Sequence, residues 1–159
     1  PYTLNPGGPN HEELSCLIGV YEYFNNLYEH HFPGQEASTR GKIEAVNELI
    51  ANHEMEIANP LLDYINTRDD INLIGKTNIS NKDRAPTIAF TMNNKSSKEL
   101  SSELVQQGIA TRNDNFYAWR CLKALGIDTD DGVVRTSMVH YNTHEDVKKL
   151  IEALKDIRG

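Results

Sequence analysis

Cysteine is scarce in this chain: Cys16 and Cys121 are the only two in 159 residues, far apart and outside any CxxC spacing. That excludes a disulfide framework and a cysteine-based zinc site, and it suits a reducing cytoplasm. Long apolar runs are missing as well. No stretch approaches the roughly 20 apolar residues that a bilayer-crossing helix needs, and the N-terminus lacks the basic-then-apolar pattern of a secretory signal. Positive charge is also short, with 16 basic against 23 acidic residues and a net charge of -7. No segment gathers Lys and Arg into a stripe able to neutralise a phosphate backbone, so neither nucleic acid nor a membrane is an expected partner. There is no initiator methionine: the chain starts at Pro1, and the expectation is that it belongs to a longer protein.

With 38% hydrophobic and 25% charged residues, the chain suits one globular domain, or a core with a helical extension. Asn10 reads as a helix N-cap with Glu13 three residues on, in the manner of a capping box. Leu14, Leu17, Ile18, Tyr21, Phe24 and Leu27 then recur at helical spacing, which predicts an amphipathic helix over about 11–29 whose apolar stripe needs a covering surface. "HHFPG" breaks it, with His30 and His31 as a C-terminal cap. A second helical pattern spans about 36–66, with Pro60 expected to kink or restart it.

After "NTRDD" the period changes. "INLIGKT" (71–77) and "APTIAFTMN" (85–93) read as strands, "SSKELSSELVQQG" as a capped helix, "IATR" as a short strand and "FYAWRCLKALG" as a short helix. "VVRTSMVHYN" (133–142) reads as a strand, and Thr143 with Asp146 caps a closing helix. The order from residue 70 is β-β-α-β-α-β-α, a small sheet with helices packed on it. The fold class expected is α+β: a helical N-terminal arm plus a small β-sheet covered by helices.

Alternation along "VVRTSMVHY" sets Arg135 in line with Val133 and Val139, and His140 in line with Val134 and Met138. A guanidinium among apolar neighbours wants an anionic partner. On residue pattern alone that partner is either an acidic side chain or an anionic ligand, and His140 reads as a hydrogen-bonded structural histidine. Cys121 reads as a small core residue. No spacing of His, Cys, Asp and Glu suggests a metal centre. "NPGGPN" runs into a helix N-terminus, a weak anion-binding pattern and otherwise a plain loop.

Two stretches carry more. "GGPNHEEL" and the closing "VVRTSMVHYNTHEDVKKLIEAL", with "RAPTIAFTM", "LVQQGIATRNDNFYA" and "LGI" between them in order, resemble the C-terminal third of class V aminotransferases. These are the pyridoxal-phosphate enzymes that include cysteine desulfurases and selenocysteine lyases, and "NFYA" resembles the cysteine desulfurase-like branch. The resemblance implies the C-terminal small domain of a fold-type I transferase. It divides the chain into the end of a large domain (1–34), a linking helix (35–69) and a small domain (70–159).

By the same resemblance, Arg135 binds the α-carboxylate of an amino acid substrate. Gly7 and Gly8 lie in the turn that reaches the cofactor phosphate of the neighbouring subunit in a homodimer, with Gly8 where the family has Thr. Tyr117 stands where a desulfurase has its nucleophilic cysteine, and Cys121 lies one helical turn later. A phenol cannot take up the substrate sulfur as a thiolate does, which leaves selenocysteine lyase-like, racemase-like or other cofactor-dependent chemistry. The Schiff-base lysine and its aspartate find no match. The implied parent is therefore a cytoplasmic, pyridoxal-phosphate-dependent enzyme, of which this chain carries no catalytic residue and is inactive alone. The competing expectation is a stand-alone α/β binding or regulatory module.

Overall fold

Capping and periodicity account for where most elements begin. The computed structural model describes residues 7–78 and 84–159; Asn5 and Pro6 of the opening turn, and 79–83 of the turn between the first two strands, fall outside them. Helix α1 spans His11–His31, and the Asn10 side chain accepts the amides of Glu12 and Glu13. Helix α2 spans Thr39–Asn66. The strands are β1 (Ile71–Ile74), β2 (Thr87–Met92), β3 (Arg112–Asp114) and β4 (Val133–Ser137), and the remaining helices are α3 (Ser97–Gln106), α4 (Trp119–Ala124) and α5 (His144–Asp156).

The chain divides into two compact units between Leu49 and Ile50, inside α2. In the first, Tyr28 and Val46 are buried, Tyr28 stacks on Phe32, and Lys42 pairs with Glu29. The hydrogen bond to Glu29 holds the Lys42 ammonium above its ordinary pKa. The stripe of α1 stays largely open: Leu14, Leu17, Ile18 and Tyr21 are all exposed.

In the second unit the four strands form one antiparallel sheet in the order β1-β2-β4-β3. Alternation buries Ile88, Phe90 and Met92 of β2 and Val134 and Thr136 of β4. They pack with Ile57, Leu61, Leu62 and Ile65 of α2, Leu100 and Leu104 of α3, and Val147, Leu150 and Leu154 of α5. The expected α+β class, a small sheet covered by helices, is the one found.

Four expectations are corrected. Helix α2 does not restart at Pro60; it runs through, because Ile57, Ala58, Leu61 and Leu62 are fully buried on both sides of it and outweigh one missing backbone hydrogen bond. Strand β4 ends at Ser137, not at Asn142. Its partner β2 starts at Thr87, opposite Ser137; the residue before that, Pro86, has no N–H to give, and the Met138 amide closes on the Pro86 carbonyl instead. His140 therefore lies in the turn before α5, its ring edge-on to Tyr141.

Strand β3 begins later than "IATR" implied. Gly108 (φ 77°) and Ile109 are used to close α3, donating to Val105 and Leu104 in a Schellman arrangement. Cys121 is exposed rather than in the core, since of the short helix α4 only Leu122 is buried.

The start of α5 gives a local test. Thr143 Oγ1 accepts the Asp146 amide and Asp146 Oδ2 accepts the Thr143 amide. Thr143→Ala should lower the unfolding free energy by about 1 kcal/mol, read as a shift in urea midpoint at unchanged slope.

Candidate functional site

At one edge of the sheet, β3 pairs antiparallel with β4 so that Arg112 is opposite Arg135, Asn113 opposite Val134 and Asp114 opposite Val133. Directly opposed residues project from the same side of a sheet. Val134 belongs to the buried core face, so Arg135 and Arg112 project from the other face. Arg135 is half-buried and Arg112 exposed.

The loop after β3 closes over this corner. Asn115 organises it: its side-chain oxygen accepts the Tyr117 amide at 3.1 Å, its side-chain nitrogen donates to the Thr129 carbonyl at 3.3 Å, and its carbonyl accepts the Ala118 amide at 2.8 Å. Such an Asx turn explains why the expected helix 116–126 begins only at Trp119. Phe116 (φ 51°) and Tyr117 (φ 60°) are both left-handed, a conformation that consecutive bulky residues adopt only when their surroundings impose it. The consequence is that the Phe116 ring centre lies 4.1 Å from the Arg135 guanidinium carbon, a cation–π contact. Tyr117 points fully into solvent.

A cleft of about 500 Å³ opens here, lined by Thr111, Arg112, Asn113, Asp114, Phe116, Tyr117 and Arg135. Among the described residues neither arginine has a carboxylate within 4.0 Å. Among the described residues, the protein salt bridge that residue pattern alone allowed for Arg135 is not formed. Asp114 lines the same cleft, but its Oδ1 accepts the Asn115 amide at 2.6 Å. The arrangement thus offers guanidinium donors, one of them ring-stacked and positioned, to an anion entering from solvent.

Gly7 and Gly8 lie in the first unit, exposed, and a Cβ added at either would meet nothing within 4 Å. Among the described residues no group of His, Cys, Asp and Glu is placed to hold a metal ion, and no helix is long and apolar enough to cross a membrane. Sequence reasoning identified Arg135 and Tyr117 in the cleft but missed Arg112 and Phe116. Only the pairing register puts Arg112 opposite Arg135, and only the left-handed turn brings Phe116 onto the guanidinium.

Residues 42–150 match the family described as aminotransferase class-V. The chain belongs to the class-V aminotransferase family. Among relatives of this class-V chain, the aminotransferase-like protein FGM3 of Gibberella zeae is 35% identical over 111 residues, covering 68% of this chain and 27% of its own. A cysteine desulfurase of Shigella flexneri is 28% identical over 157 residues, covering 99% of this chain and 32% of its own.

Among solved structures, the cysteine desulfurase CsdA from Escherichia coli superposes with a TM-score of 0.56 at 23% identity, over 67% of this chain and 24% of that one. The apo cysteine desulfurase of Thermococcus onnurineus gives 0.61 at 19% identity, over 74% and 29%. At such identities the likeness is one of fold. The chain spans roughly a quarter to a third of the length of these proteins.

Proposed function

We propose that this chain is the C-terminal part of a pyridoxal-phosphate-dependent class-V enzyme acting on an amino acid. Its segments 1–34, 35–69 and 70–159 would then be the end of the large domain, a linking helix and the small domain. The observation that carries the proposal is Arg135: a half-buried guanidinium, stacked on Phe116 at 4.1 Å, facing a cleft in which, among the described residues, no carboxylate lies within 4.0 Å of it. A planar fork held in this way suits bidentate capture of an α-carboxylate. Tyr117 excludes the thiolate attack of a desulfurase at this position, so the chemistry proposed is of the selenocysteine lyase-like, aminotransferase or a related kind.

Toward the cofactor the described residues offer the open Gly7–Gly8 backbone but not the N-terminus of α1. Gly7 and Gly8 stand open, and the Glu12 and Glu13 amides that a phosphate would use at the α1 N-terminus are occupied by Asn10 Oδ1. The Schiff-base lysine is expected elsewhere in the parent. The chain alone is proposed to be inactive, with the Gly7–Gly8 turn reaching the neighbouring subunit's cofactor phosphate in a cytoplasmic homodimer. Arg135→Ala in the full-length enzyme should raise KM for the amino acid by roughly 10- to 100-fold, the worth of charge-assisted hydrogen bonds. An unchanged KM in steady-state kinetics of the folded variant would overturn the assignment.

A further inference from the structure

We infer that the substrate carries a second anionic group on its side chain, and that Arg112 receives it; this rests on Arg135 holding the α-carboxylate as proposed above. The pairing of β3 with β4 sets Arg112 directly opposite Arg135, with Cβ atoms about 5 Å apart as in any directly opposed pair. Like charges in that position repel and destabilise the strand pair unless something neutralises them. Among the described residues no carboxylate lies within 4.0 Å of either guanidinium. The acid that lines the cleft, Asp114, turns its Oδ1 to the Asn115 amide and pairs with neither arginine within 4.0 Å.

Two arginines opposed across one strand pair and lining one cleft of about 500 Å³ match two acids joined by a short carbon chain. An acidic α-amino acid has that form: its α-carboxylate takes Arg135 and its side-chain acid takes Arg112, while Thr111 and Asn113 line the same wall. Tyr117, where the family resemblance puts a thiol, adds a phenol ring at the cleft rim.

The test uses the 159-residue chain and simple anions, so it requires no cofactor. Arginine side-chain NMR signals are followed while acetate, or glutarate at matched ionic strength, is titrated in. Glutarate should bind at least about tenfold more tightly than acetate, since it adds a charge-assisted pair. Arg112→Gln, at an exposed position and with its fold checked by circular dichroism, should erase that advantage and leave acetate binding at Arg135 unchanged. Arg135→Gln should weaken both ligands. Equal affinities for the two anions, or a glutarate advantage that survives Arg112→Gln, would overturn the inference while Arg135 keeps its role. Acetate binding indifferent to Arg135→Gln would remove the carboxylate anchor itself.

Discussion

Arg68→Ala should lower the unfolding free energy by about 3 kcal/mol or more, the range for breaking a buried ion pair by removing one partner. The Arg68 side chain is 7% exposed and that of Asp70 23%. Arg68 Nε and Nη2 bond the two Asp70 oxygens at 2.6 Å each. The same guanidinium donates to the Leu154 and Ile157 carbonyls at 2.7 and 3.0 Å and to the Tyr64 hydroxyl at 2.6 Å. It thereby ties the end of α2, the start of β1 and the C-terminus of α5 together. Removing it strands a carboxylate and two helix-end carbonyls at once.

This clasp also gives stability a pH dependence of known sign. The Arg68 hydrogen bonds, with a further one from the Gly159 amide, hold the Asp70 carboxyl far below its ordinary value. Because the folded pKa is depressed, the contribution is fully present above the unfolded value of about 3.9. It is lost as the pH falls through the folded one. Urea melts at successive pH values should show native protein losing stability below about pH 4, and Arg68→Ala should flatten that loss. A variant with the same midpoint and the same acid slope as native would refute the clasp.

Gly132→Ala is the second large effect, and it joins stability to the candidate site. Gly132 has φ 75°, and an added Cβ would lie 2.3 Å from the Asp114 carbonyl carbon, 2.4 Å from its oxygen and 2.7 Å from the Asn115 nitrogen. All three are backbone atoms, so no side chain can swing aside. The left-handed conformation alone costs an alanine about 1 kcal/mol, and forcing the strand away should bring the total to at least about 3 kcal/mol. Gly126 is the control: its φ is 74°, but nothing lies within 4 Å of an added Cβ, so Gly126→Ala should cost only the conformational part. Equal losses for the two variants in denaturant melts would mean that contact with Asp114 is not what fixes Gly132. Since Asn115 anchors the turn that stacks Phe116 on Arg135, Gly132→Ala should also shift the NMR signals of Arg135.

Elements governed by local chemistry were legible along the chain. Asn10, Ser96 and Thr143 each begin a helix, as their side-chain caps dictate, and the change from a 3.6 to a 2.0 period after residue 70 marks where the sheet begins. The position of Arg135 on a strand was legible for the same reason, and the closing motif carried its family resemblance. The ends of pairing were not. Strand β4 stops at Ser137 because of Pro86, a residue 51 positions earlier in the numbering that becomes its neighbour only through the fold. Cys121 reads as apolar filler, yet α4 is too short to bury more than Leu122.

By itself, then, the sequence determined the α+β class, the order of elements, the caps and the family, because each follows from interactions within a few residues or from a motif contiguous in the chain. The tertiary structure alone decided the site. Cross-strand register set Arg112 against Arg135, and the left-handed turn at Phe116 and Tyr117, backed by the close approach of Gly132, laid an aromatic ring on a guanidinium. Those contacts join residues 17 to 23 positions apart in the numbering, and no local propensity specifies such a pairing.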